Sequence, residues 1–158
     1  MVATNGRQVV GRSCERVERG RGVRFEVSRR GEIVPAFVVR FEGSVHAYLN
    51  RCAHRFLELD CNAGDFFDAF AVHLLCATHG ARYASTSGVC VGGGDSFPRR
   101  SSFERSTPGR HRRKSCRLGR WRPCAGAGLV KLEVIEENGD VRLDSRDDVH
   151  LVPAGGMT

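Results

Sequence analysis

The chain has 158 residues, 41% of them hydrophobic and 27% charged, with a formal net charge of +7. That length suits one ordinary domain, and the composition is globular for most of the chain. No run approaches the ~18 apolar residues of a membrane helix. The opening Met1-Val2-Ala3-Thr4-Asn5-Gly6-Arg7 has no apolar signal core, so the expected setting is the reducing cytoplasm.

In chain order, residues 1–20 are Gly-rich and charged, and are expected to be a flexible segment. Val23-Arg24-Phe25-Glu26-Val27 alternates apolar and charged residues, as a half-buried strand does. Residues 35–41 are rich in β-formers, Glu42-Gly43-Ser44 turns, and residues 45–50 return as the second arm of a hairpin. Residues 71–75 and 80–84 read as two more strands, and Ser85-Thr86-Ser87-Gly88 turns into Val89-Cys90-Val91. Residues 129–134 pair back through Glu137-Asn138-Gly139-Asp140 with residues 141–143, Asn-Gly being a strong hairpin signal. Residues 144–158 are expected to be a flexible tail. No long helical period appears, so the predicted class is all-β, a small antiparallel sandwich or barrel.

The charge is not spread evenly. Residues 94–122 hold nine arginines and Lys114 against Asp95 and Glu104, a net of +8, and the rest of the chain sums to −1. Phe97, Phe103, Leu118 and Trp121 follow neither a helical nor a strand period there. This is the pattern of a disordered basic insertion within a domain spanning 21–143. The run could contact phosphates, with its aromatic residues stacking on bases, or steer an acidic redox partner. A solvated loop with no selected partner is the plainer reading.

Two motifs carry chemistry. Cys52-Ala53-His54 follows the strand ending at Asn50, and Cys76-Ala77-Thr78-His79-Gly80 follows the strand ending at Leu75. Each offers a thiolate and an imidazole from a loop at a strand end. Such a donor set suits an iron–sulfur centre or zinc. The seven cysteines are odd in number, which argues against a disulfide framework and towards metal ligation for some. Cys14, Cys61, Cys90, Cys116 and Cys124 have no partner spacing and read as thiols. His46 and His73 read as strand residues, and His111 belongs to the basic run.

The C-x-H…C-x-x-H pattern resembles the Rieske family of [2Fe-2S] proteins. Residues 47–51, His79-Gly80 with Tyr83, and the Gly88-x-Cys90-Val91-Gly92-Gly93 stretch extend the likeness over about residues 23–93 and 123–143. The resemblance implies that Cys52 and Cys76 hold one iron and His54 and His79 the other. It also implies a one-electron carrier serving a reductase or oxygenase; the lack of a long apolar run separately predicts no membrane attachment. Respiratory members carry two further cysteines where this chain has Leu57 and Thr78, so a lower-potential, ferredoxin-type centre is expected. The family's Gly-Pro cover turn would be split here between Gly93 and Pro123 by residues 94–122. Tyr83 reads first as a packing residue, although a hydroxyl donor to the cluster is known in the family. The rival reading is a zinc-stabilised module that contacts nucleic acid through its basic loop. Zinc sites usually pair C-x2–4-C with H-x3–5-H, and C-x-H fits that spacing less well.

Overall fold

The computed structural model describes residues 7–13, 16–53, 57–92, 127–144 and 149–152. The basic run, Cys14, His54, His111, Cys116 and Cys124 lie outside the described residues.

Among the described residues, eleven strands form three antiparallel sheets. They are β1 (Gln8–Arg12), β2 (Val23–Arg29), β3 (Glu32–Phe41), β4 (Ser44–Leu49), β5 (His73–Leu75), β6 (Arg82–Ala84), β7 (Cys90–Gly92), β8 (Lys131–Leu132), β9 (Val134–Glu137), β10 (Asp140–Leu143) and β11 (Val149–Leu151). The largest sheet runs β11-β2-β3-β4-β8, and smaller ones run β1-β10-β9 and β5-β6-β7. No α-helix occurs among the described residues, so the all-β reading stands.

Three hairpins turn on two residues each: Arg30-Gly31, Glu42-Gly43 and Asn138-Gly139. In all three both residues have positive φ, near +52 to +54° and then +74 to +81°. That geometry matches the twist of the flanking strands, and glycine at the second position adopts it without a Cβ penalty.

The middle sheet is apolar on both faces. On β3, Phe37 and Val39 enter one core while Val34, Ala36 and Val38 enter another. On β4, Tyr48 joins the first core and Ala47 and Leu49 the second. This is the two-residue side-chain period of a strand with both faces covered. The second core takes in Val141 and Leu143 of β10. The first takes in Leu59, Phe66, Leu74, Ala81 and Tyr83, together with Cys52 and Cys76. Within it Phe37 stacks on Phe66, with ring centroids 3.8 Å apart and planes 9° from parallel. The Tyr48 hydroxyl donates to the Ser85 carbonyl at 2.7 Å, tying the middle sheet to the turn beyond β6.

Both ends depart from expectation. Residues 8–12 form β1 against β10, and residues 149–151 form β11 against β2. Neither stretch is wholly a flexible segment. Arg40 of β3 donates to Glu136 of β9 at 2.7 Å and also bonds Ser13, anchoring the chain just past β1. Cys90 is disulfide-bonded, which corrects its reading as a thiol. An odd cysteine count leaves at least one unpaired but forbids no single pair.

Candidate metal centre

Each motif sits in a loop closed by its own backbone. In the first, the Cys52 N–H donates to the Leu57 carbonyl at 2.7 Å. In the second, the Cys76 N–H donates to Ala81 and the Gly80 N–H to Cys76, both at 2.8 Å. Gly80 has φ +75°, so the turn that presents His79 needs the residue without a Cβ. The two loops are also tied together, because the Ala77 N–H donates to the Leu59 carbonyl at 2.7 Å.

Asn50 anchors this arrangement from beneath. Its side-chain carbonyl accepts the Leu59 N–H at 2.8 Å, and its amide donates to Asp60 Oδ1 at 2.8 Å. The other oxygen of Asp60 accepts the Gly64 N–H at 2.9 Å. Asn50 and Asp60 are both buried, and these bonds satisfy groups that water cannot reach. The sequence reading missed this pair. Its signal was a polar residue at the inward end of a strand, two positions before the first cysteine.

These anchors bring three of the four predicted site residues together. Cys52, Cys76 and His79 offer donor atoms that all lie within 4.8 Å of one another. His79 Nδ1 is 3.0 Å from Cys76 Sγ, and His79 Nε2 is 3.5 Å from Cys52 Sγ. Both cysteines are fully buried. The adjacent Cys52 sulfur, and then burial, push the Cys76 thiol well above its usual range. The backbone N–H groups of His79 and Thr78 act the other way, favouring the thiolate. A cation would discharge the conflict by displacing the protons.

Tyr83 closes the inner side. Its hydroxyl is 3.1 Å from Cys52 Sγ and 3.3 Å from the Ala53 amide nitrogen. An amide N–H can only donate, so the hydroxyl accepts from Ala53 and its own proton is left for the sulfur. Burial raises the Tyr83 pKa, as does the neighbouring Cys52, which keeps that proton in place.

The remaining candidates fall elsewhere. Cys61 is exposed and free. His73 Nδ1 lies 3.4 Å from Asp68 Oδ2. His46 is on β4, and burial lowers its pKa, followed by the charge on Lys131.

The family model described as the Rieske [2Fe-2S] domain matches residues 7–101, more than half of the chain. The chain belongs to the Rieske [2Fe-2S] family.

Rieske domains bind a [2Fe-2S] cluster, and the donor set fits one: two buried sulfurs and an imidazole converge with no carboxylate among them. Solved structures agree on the fold. The reduced complex between oxygenase and ferredoxin in carbazole 1,9a-dioxygenase is 20% identical with a TM-score of 0.53, covering 89% of this chain and 28% of that one. Dicamba monooxygenase bound to dicamba is 19% identical with a TM-score of 0.54, covering 90% and 33%. The terminal oxygenase of carbazole 1,9a-dioxygenase from Nocardioides aromaticivorans IC177 is 21% identical with a TM-score of 0.54, covering 88% and 30%. The chain thus spans about a third or less of the solved chains it resembles. No curated protein matches it. Among the described residues no helix is long and apolar enough to cross a membrane.

Proposed function

We propose that this Rieske domain carries single electrons for an oxygenase or reductase partner in the cytoplasm. Cys52 and Cys76 hold one iron of the cluster, and His54 and His79 the other. The observation that carries the assignment is the convergence of Cys52, Cys76 and His79 from two separate loops. The cluster supplies a site that accepts and returns one electron, within the family span of about −150 to +300 mV.

The chain's own residues tune and shield that site. Tyr83 donates to Cys52 Sγ from the buried side. The Thr78 and His79 amides favour the thiolate of Cys76. Each withdraws negative charge from a sulfur and so favours the reduced state. Leu57 and Thr78 leave no disulfide to bridge the two loops, and we place the midpoint in the lower part of the span. Leu59, Phe66 and Leu74 exclude water from the inner side.

Purified holo-protein should be brown. When reduced it should give the anisotropic EPR signal with low average g expected of mixed His/Cys ligation. A colourless protein containing one zinc would replace this reading with the zinc-stabilised module.

A further inference from the structure

Beside Cys52 the surface opens into a cavity of about 420 Å³. Leu49, Ala53 and Val130 give it an apolar wall, Cys52 forms part of that wall, and Arg29 and Arg51 flank it. No acidic side chain is among the described residues that line it.

The two arginines are unequally compensated. Arg51 pairs with Glu32 at 3.4 Å, but the Glu32 side chain is 67% exposed, so water and salt compete for that contact. The Arg29 side chain makes no hydrogen bond or ion pair among the described residues. The cavity therefore holds surplus positive charge against an apolar wall, directly beside a sulfur proposed to hold iron.

We propose that this cavity seats an acidic loop of the redox partner, with carboxylates on Arg29 and Arg51 and an aliphatic side chain against the exposed Val130. The proposal rests on the electron-transfer reading. Charge complementarity selects an acidic partner over a basic one, since two guanidinium groups and no carboxylate are among the described residues that line this cavity. The exposed Val130 selects a protein segment over a free carboxylate, which would leave that side chain uncovered. Val130 is 43% exposed, so this contact is open to a partner. A loop seated here lies next to the buried Cys52, whose sulfur is proposed to hold iron.

The test uses the reduced holo-protein and two small one-electron oxidants followed by stopped flow. Ferricyanide is anionic and becomes ferrocyanide; hexaammineruthenium(III) is cationic and becomes the ruthenium(II) ion. At about 10 mM ionic strength, Arg29→Gln and Arg51→Gln should each slow ferricyanide about threefold and speed the ruthenium reagent, and both effects should fade at about 0.5 M salt. A shifted midpoint would move both oxidants in the same direction, so opposite movements identify charge at the cavity. Arg12→Gln, on β1 and outside the cavity lining, should change neither rate, which separates the local effect from the chain's overall charge. Val130→Glu, which brings a carboxylate to the cavity, should slow ferricyanide at least as much as Arg29→Gln. If the two cavity arginines behave like Arg12, the docking proposal fails while the carrier reading stands. A chain that binds no cluster overturns both.

Discussion

The hydroxyl of Tyr83 lies 3.1 Å from the sulfur of Cys52 and takes a hydrogen bond from the Ala53 amide, which directs its proton to that sulfur. A hydrogen bond to a charged sulfur stabilises the more electron-rich state. Tyr83→Phe keeps the ring in the first core and deletes only this donor. The midpoint should fall by about 60 mV, a tenfold change in a one-electron equilibrium. Protein-film voltammetry would read it, with an unchanged cluster content as the control.

Loss of any proposed ligand should be visible. Cys52→Ser, Cys76→Ser, His54→Ala and His79→Ala should each give colourless protein that retains little iron. Cys61→Ser should stay brown, since Cys61 is exposed and outside the site. Iron analysis and visible absorption would decide both.

Asn50 offers a test that changes no ligand. Asn50→Ala removes an acceptor from the Leu59 N–H and a donor from Asp60, leaving both buried. The expected cost is about 1–3 kcal/mol in chemical denaturation. Because Leu59 also holds the second loop through Ala77, the remaining cluster should be lost faster to a chelator than from wild type.

The described chain breaks at Gly92 and resumes at Ala127, close to where it left. The Cys90 N–H donates to the Ala127 carbonyl at 3.2 Å, and Val89 bridges Gly128. Residues 94–122 can therefore be removed with little change in loop-closure cost, because that cost varies only slowly with length. A deletion of 94–122 should keep its EPR signal; loss of the cluster would show that the segment contributes to the site.

Asp68 sets a pH limit. Burial would raise its pKa, but the N–H groups of Val72 and His73 and the His73 imidazole outweigh it, so the net shift is downward. A carboxylate with a depressed folded pKa contributes stability that is present above its unfolded pKa and lost as pH falls through the folded value. Asp68→Asn should therefore destabilise the protein at neutral pH, and the difference should shrink as pH falls below about 4. Urea titrations at pH 7 and pH 3 would measure it.

The parts of this structure that were legible in the sequence are local. Asn138-Gly139 marked its hairpin because that turn needs two residues with positive φ. The C-x-H and C-x-x-H motifs marked the site because ligand spacing is written along the chain. β1 and β11 were hidden because their partners, β10 and β2, are more than a hundred residues away, and a three- to five-residue strand carries little period of its own. The Asn50–Asp60 bond was hidden for a different reason. A side chain that closes a loop leaves no repeating pattern. Tyr83 looked like packing, and it is buried, yet its oxygen does chemistry that burial alone does not reveal.

The pairing of Gln8 with Leu143 also bears on synthesis. The first strand has no partner until residue 143 has left the ribosome, and β4 has no β8 until residue 132 has. Both site cysteines emerge earlier. At about 5–20 residues per second, Cys76 waits about 3 to 13 s before β10 is complete. Throughout that time the two thiols belong to a nascent chain whose core is unfinished and whose sulfurs are open to oxidants and stray metals. The sheets beside the site are thus complete only after these last strands have paired.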